Sequence, residues 1–249
     1  MVFCLSLLST INLKIINFVS MQTQLVVFDI AGTTVTDNDN VNDAFRGAFE
    51  KAGYPVALAD VNHVMGYRKI EAISILLDRF YPADVNNFEL IQDIHNGFAE
   101  DMQAYYLHTK DLNALPYAEE IFKQIRANNI KIALDTGFTK MITDTIIDRL
   151  GWVKNGLVDF VISSDEVPQG RPFPYMIEAI MEEFNFTDVN QVVKVGDTAV
   201  DIEEGRNAGC GLVISVTTGA YSREELKKFS PDFIIDSLKE LPAILNLKA

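Results

Sequence analysis

Six short apolar runs, each ending in an acid, a small hydroxyl residue or glycine, constrain this chain more than any other feature. The first, residues 25–28, ends at Asp29 and runs into Ala31-Gly32-Thr33-Thr34. Residues 130–134 lead into Asp135-Thr136-Gly137, and 158–162 lead into Ser163-Ser164-Asp165. Residues 192–195 lead into Gly196-Asp197-Thr198, and runs at 211–215 and 233–235 complete the set. Continuous apolar runs of this length read as strands buried on both faces. Helical patterns fall between them, at about 116–128, 139–150, 173–184, 200–208 and 238–246. Strand–helix alternation predicts a doubly wound, Rossmann-like α/β core built on a parallel sheet. Ligands of such folds bind beyond the carboxyl ends of the strands, where these polar residues sit.

Residues 38–110 break the alternation. They hold no buried parallel strand, and helical patterns run through 40–53, 68–80 and 85–107. The expected organisation is a core of residues 21–37 and 111–249, with a helical cap, 38–110, inserted after the first strand. The junctions near Thr36-Asp37 and Thr109-Asp111 are the expected hinges. Residues 1–20 form an apolar stretch with one charge, Lys14. It is too interrupted for a membrane span and lacks a basic start and a small-x-small cleavage site. Translation from Met21 is the simplest expectation, with a docked helix or a poor signal sequence as alternatives.

Composition narrows the function. Hydrophobic residues make up 48% of the 249 and charged residues 22%, a globular balance. Lys and Arg number 21 against 35 Asp and Glu, for a formal charge of −14. That balance argues against nucleic acid and anionic membrane surfaces as partners, since both are gripped by cations. A small phosphorylated substrate remains open, because a local cation or metal can invert the field of an acidic protein. Cys4 and Cys210 are the only cysteines, so no disulfide framework is expected and a cytoplasmic location is the default.

Four motifs sit at the strand ends: Asp29-Ile-Ala-Gly-Thr-Thr34, Asp135-Thr136-Gly137, Gly170-Arg171-Pro172-Phe-Pro174 and Gly196-Asp197-Thr-Ala-Val-Asp201. Each alone is weak; in this order, at strand ends, they are specific. Longer strings surround them: Met65-Gly66-Tyr-Arg-Lys69-Ile70, Asp165-Glu-Val-Pro-Gln-Gly-Arg-Pro-Phe-Pro174, and Lys194-Val-Gly-Asp-Thr198 through Gly209. On these residues, from about 24 to the C-terminus, the chain resembles the haloacid dehalogenase superfamily of phosphotransfer hydrolases. Within it the chain is most similar to the phosphonatase branch.

The residues supply the chemistry that the resemblance implies. Phosphoryl transfer needs an in-line nucleophile, charge neutralisation and fixed geometry. Asp29 would be the nucleophile, forming an aspartyl-phosphate. Two anions approach each other in that step, so a cation is required. Asp29, Asp197 and the Ala31 carbonyl suit Mg²⁺, with Asp201 orienting or joining the shell. Thr136 offers a hydroxyl, Gly137 lets the backbone approach a phosphate oxygen, and Arg171 supplies fixed positive charge. Gly32, Thr33 and Met65 complete the expected substrate-binding set.

Two positions point to the subclass. Phosphatases of the superfamily carry Asp two residues after the nucleophile as acid and base; here that residue is Ala31, as in phosphonatases. Loss of such a group costs about 10²–10⁴ in rate. Lys69 lies where phosphonatases keep a Schiff-base lysine, which makes an electron sink for C–P cleavage. Two phosphonatase residues are replaced, His by Ala72 and Tyr by Phe138, and both would have shuttled protons. His63, His95 and His108 are expected to be structural or on the surface. The expectation is a Mg²⁺-dependent hydrolase cleaving a C–P or P–O bond of a small compound, with phosphonoacetaldehyde as the first guess. The alternative is a phosphatase of a small metabolite in which water or a cap residue replaces the missing Asp. A non-catalytic binding module would have lost part of the motif set, and a dehalogenase would not need the metal ligands. By resemblance, a cap helix can also form a homodimer contact.

Overall fold

The computed structural model describes residues 23–248, so the expectation about residues 1–20 lies outside them. Six parallel strands form one sheet: β1 (Leu25–Asp29), β2 (Lys131–Thr136), β3 (Phe160–Ser163), β4 (Val192–Gly196), β5 (Leu212–Val216) and β6 (Phe233–Ile235). Their spatial order is β3-β2-β1-β4-β5-β6. The chain winds outward from β1 to β3, then returns to the other side of β1 to begin β4. The carboxyl ends of β1, β2 and β4 therefore meet at the reversal point where open α/β sheets hold ligands. Register places Asp29 beside Asp135, and Phe28 beside Val195.

β1 is fully buried on both faces. Val26 and Phe28 join one apolar cluster with residues of α5 (Ala118–Ala127) and α6 (Lys140–Leu150). Leu25 and Val27 join the opposite cluster with α7 (Tyr175–Glu183) and α8 (Ala199–Ala208). The period-two alternation of a strand thus sorts one continuous apolar run into two layers, as expected for a doubly wound core.

Between β1 and β2 the chain is helical: α1 (Asn40–Lys51), α2 (Leu58–Asn62), α3 (Lys69–Phe80) and α4 (Phe88–His108). α1 and α3 pack on the long α4, which also packs on α6 of the core. Phe45 and Phe98 meet edge to face at 5.3 Å inside this insert, and Tyr106 meets Phe138 of the core at 5.9 Å. Two short helices, α2 and α9 (Arg223–Lys227), were not expected from periodicity, which needs more than one turn to register. A last short helix, α10 (Leu241–Ile244), packs against α5. Among the described residues no helix is long and apolar enough to cross a membrane.

Candidate active site

Asp29 ends the central strand and is 5% exposed. The chain turns sharply behind it: the Thr34 and Val35 amides both donate to Ile30 O, at 2.9 and 2.8 Å, and the Gly32 amide donates to Val35 O at 2.8 Å. Gly32 adopts φ +84, and a Cβ there would stand 2.8 Å from Gly219 Cα and 3.1 Å from Asp197 Oδ2. Both the backbone and the space demand glycine. The turn delivers Thr33 Oγ1 to Asp197 Oδ1 at 3.0 Å, and the Ala220 amide donates to the other Asp197 oxygen at 2.7 Å. Thr33, expected as a phosphate contact, thus spends its hydroxyl on holding Asp197.

Below this layer lies a charge cluster. Arg171, 0% exposed, reaches Asp29 at 2.7 Å, Asp201 at 3.0 Å and Glu204 at 3.1 Å, and also pairs with Asp135. Lys194 reaches Asp135 at 2.6 Å, Glu204 at 2.8 Å and Asp201 at 3.2 Å. Burial alone would lower the proton affinity of both cations, but the surrounding carboxylates outweigh it and raise it. Asp135 is held below the usual carboxylate range despite its burial, by Arg171 and Lys194. Arg171 therefore acts as fixed charge behind the wall of the site, and Asp201 caps α8 through Thr198 N at 3.2 Å.

Asp135, Lys194 and Glu204 were not expected as site residues. A lysine inside the strand Val-Val-Lys-Val was the available signal, because a charge in a doubly buried strand must be paired.

A cavity of about 70 Å³ lies above the carboxyl ends of β1 and β2. Asp29, Ala31, Gly32, Thr136, Gly137 and Asp197 line it from the core, and Met65 and Lys69 from the helical insert. The structure thus gathers eight of the expected site residues around one space and puts Thr33, Arg171 and Asp201 behind it. Thr136 Oγ1 accepts from Phe138 N at 3.2 Å, which leaves its hydroxyl proton for another acceptor. Lys69 is 4% exposed, with Nζ 5.9 Å from the Phe45 ring centre and 5.7 Å from that of Phe138. Burial lowers its pKa to about 8, against the pull of Asp29. Ala72 and Phe138, at the positions of the replaced proton carriers, are 0% and 2% exposed.

The insert meets the core at residues next to the expected functional ones. Gly66 adopts φ +86, and a Cβ there would overlap the Thr198 side chain; a Cβ on Gly137 would overlap Tyr67 O. Arg68 donates to Pro168 O at 3.3 Å, and Glu71 accepts from Gly170 N at 3.3 Å. His95, on the facing side of α4, is half-buried and held below its ordinary pKa by burial.

The charged side chains buried among the described residues are five carboxylates (Asp29, Asp135, Asp197, Asp201, Glu204) and three cations (Lys69, Arg171, Lys194). The formal excess is two negative charges, and it shows in proton affinity. Burial, with Asp201 and Asp135 nearby, raises Asp29 to about 6 against the pull of Arg171. Burial with the charges of Asp29 and Asp201 raises Asp197 well above the carboxylate range. Burial and Asp135 raise Glu204 to about 8. A divalent cation would cancel the same excess, so these residues fit one. Asp29, Asp135 and Asp201 bring ligand oxygens within 4.8 Å of one another. That trio already faces Arg171 and Lys194, whereas Asp29 and Asp197 share the cavity wall.

A family model for haloacid dehalogenase-like hydrolases matches residues 23–209. Phosphonoacetaldehyde hydrolase of Latilactobacillus sakei is 31% identical over 255 residues, covering 89% of this chain and 94% of the relative. The Bacillus mycoides phosphonoacetaldehyde hydrolase is 28% identical over 229 residues, covering 85% and 83%. Among solved structures, a phosphonoacetaldehyde hydrolase-like protein from Oleispira antarctica superposes with a TM-score of 0.78 at 23% identity, covering 90% of this chain and 91% of that one. A hydrolase from Pseudomonas syringae gives 0.77 at 18%, covering 92% and 100%. Family model, relatives and fold agree: the chain belongs to the haloacid dehalogenase superfamily of hydrolases, in its phosphonatase-like branch.

Proposed function

We propose that this chain is a Mg²⁺-dependent phosphonatase-like hydrolase that works through an aspartyl-phosphate on Asp29, with phosphonoacetaldehyde or a related small phosphonate as substrate. One observation carries the reading: the carboxylate at the end of the central strand and a buried, neutralisable lysine line the same small cavity. In this reading, residues 21–37 and 111–249 form the catalytic core, and residues 38–110 the cap that excludes water.

Asp29, Asp197 and the Ala31 carbonyl would hold the metal, with Asp201 orienting that shell from behind the cavity wall, and the metal would neutralise charge between carboxylate and phosphoryl group. Arg171 fixes Asp29 Oδ1 at 2.7 Å, which leaves Oδ2 as the attacking oxygen. Thr136 donates its hydroxyl, and Gly137 its amide, to phosphoryl oxygens. Lys69, in its neutral form, condenses with the aldehyde and releases water, and the resulting imine takes up a proton on nitrogen to become the iminium that accepts electrons. Asp29 Oδ2 then bonds to phosphorus as the C–P bond breaks, and the bonding pair moves into the iminium to form an enamine. Water hydrolyses the acyl phosphate to phosphate and free Asp29. Protonation and hydrolysis of the enamine give acetaldehyde and restore Lys69.

A second reading, P–O cleavage of a small phosphate ester, is favoured by Ala72 and Phe138. Both are buried and offer no proton-carrying group for imine formation. Phosphate release from phosphonoacetaldehyde, sugar phosphates and nucleotides, with and without Mg²⁺, tests both. Metal-dependent release from phosphonoacetaldehyde supports the first reading, and release from esters alone supports the second. No metal-dependent release from any of them contradicts both.

A further inference from the structure

Imine formation strips two protons from the Lys69 nitrogen and puts both on the departing oxygen, and Ala72 and Phe138 can carry neither. Five titratable side chains line the cavity: Asp29, Asp37, Asp39, Lys69 and Asp197. Asp29 and Asp197 are committed to phosphorus and metal in the proposed reaction, and Asp39 is exposed. That leaves Asp37, at the entry to α1. Its Oδ1 accepts from the Asn40 and Val41 amides at 3.0 and 3.4 Å, which fixes the carboxylate in the cavity wall. Its Oδ2 accepts no hydrogen bond among the described residues and keeps open surface, since the side chain is only half-buried. Asp37 and Lys69 stand in each other's field. Burial raises the proton affinity of Asp37 against the pull of its two amides, and Asp39 adds to the rise. Tyr106 of α4 also feels Asp37, but burial keeps its phenol protonated and it does not line the cavity.

We propose that Asp37 carries both protons of imine formation on Lys69, the work for which Ala72 and Phe138 have no group. This rests on the phosphonatase-like reading. The neutral amine adds to the aldehyde carbon: the C–N bond forms, and a carbonyl electron pair moves to oxygen. The Asp37 carboxylate takes one proton from nitrogen and gives it to that oxygen, which completes the carbinolamine. It takes the second nitrogen proton as the nitrogen pair closes the C=N bond, and gives it to the hydroxyl that leaves as water. Asp37 ends as the carboxylate it began as. A carboxylate partly withdrawn from water holds a proton more readily between the two transfers. Hydrolysis of the product imine runs the same transfers in reverse.

Borohydride trapping with phosphonoacetaldehyde at pH 9 tests this, because Lys69, at about 8, is then mostly neutral in the wild type. Asp37→Asn keeps an acceptor oxygen for the Asn40 and Val41 amides but cannot carry a proton. It should slow adduct formation at Lys69 by about a hundredfold or more, with the melting temperature unchanged. A purely electrostatic role moves the rate the other way: without the Asp37 charge Lys69 falls further, and at least as much neutral amine is present. Asp37→Ser is the second variant. It keeps a capping hydroxyl and opens room for formate, and added formate should restore its trapping rate in proportion to concentration. Trapping by Asp37→Asn at or above the wild-type rate overturns the proposal. So does slow trapping by Asp37→Ser that formate leaves unchanged, since Asp37 would then be structural. Absence of any Lys69 adduct in the wild type overturns this inference and the imine reading together.

Discussion

Lys69 can act as a nucleophile only as the free amine, and its surroundings set how much of that form exists. An ordinary lysine near pKa 10.5 is neutral in roughly three molecules per ten thousand at pH 7. Burial between two aromatic rings lowers Lys69 to about 8, so about one molecule in ten is neutral at the same pH. The gain is roughly 300-fold in reactive amine. The sign follows from the charge: a depressed lysine pKa means that raising pH deprotonates it early. Imine formation should therefore rise about tenfold per pH unit below 8 and level off above it. The assay is borohydride trapping of the protein with phosphonoacetaldehyde from pH 6 to 10, read as the rate of adduct formation at Lys69 by peptide mapping. Lys69→Met should yield no adduct. A trapping rate that keeps climbing to pH 10 would show an ordinary lysine and refute the reasoning. So would an adduct on another residue.

Other outcomes follow from the same geometry. Chelation should stop phosphate release, and Mg²⁺ should restore it and raise the melting temperature; Asp197→Asn should lose that metal response. Lys194→Met leaves Asp135 and Glu204 without one of their two buried cations, and should cost about 3–5 kcal/mol in denaturant unfolding. Gly66→Ala adds a Cβ at φ +86 that overlaps Thr198, so it should lower kcat more than it lowers the melting temperature of the core.

The strands and most helices were legible because burial on both faces leaves continuous apolar runs, and long helices leave a 3.6-residue period. α2 and α9 were not, since five residues hold barely one turn of pattern. Asp29, Thr136, Lys69 and Asp197 could be assigned to one site because each sits in a motif. Lys194 and Glu204 sit in the same strings, yet the Lys194–Asp135 pair depends on β4 and β2 flanking β1, and the Lys194–Glu204 pair on how α8 packs on β4, which a string does not encode. Thr33 shows the limit in the other direction: the motif named the residue, but only the turn geometry aims its hydroxyl at Asp197. Asp37 carries no motif at all. It reaches the cavity because the chain leaves β1 through it on the way into α1.

The central claim is that phosphorus bonds to Asp29. Acid quench of the Mg²⁺-loaded enzyme during turnover, followed by peptide mapping, tests it most directly. The account predicts an acid-stable, base-labile phosphoryl group on the peptide containing Asp29, and none in Asp29→Asn. Phosphate release with no phosphorylated peptide, or with Asp29→Asn turning over at the wild-type rate, would contradict it.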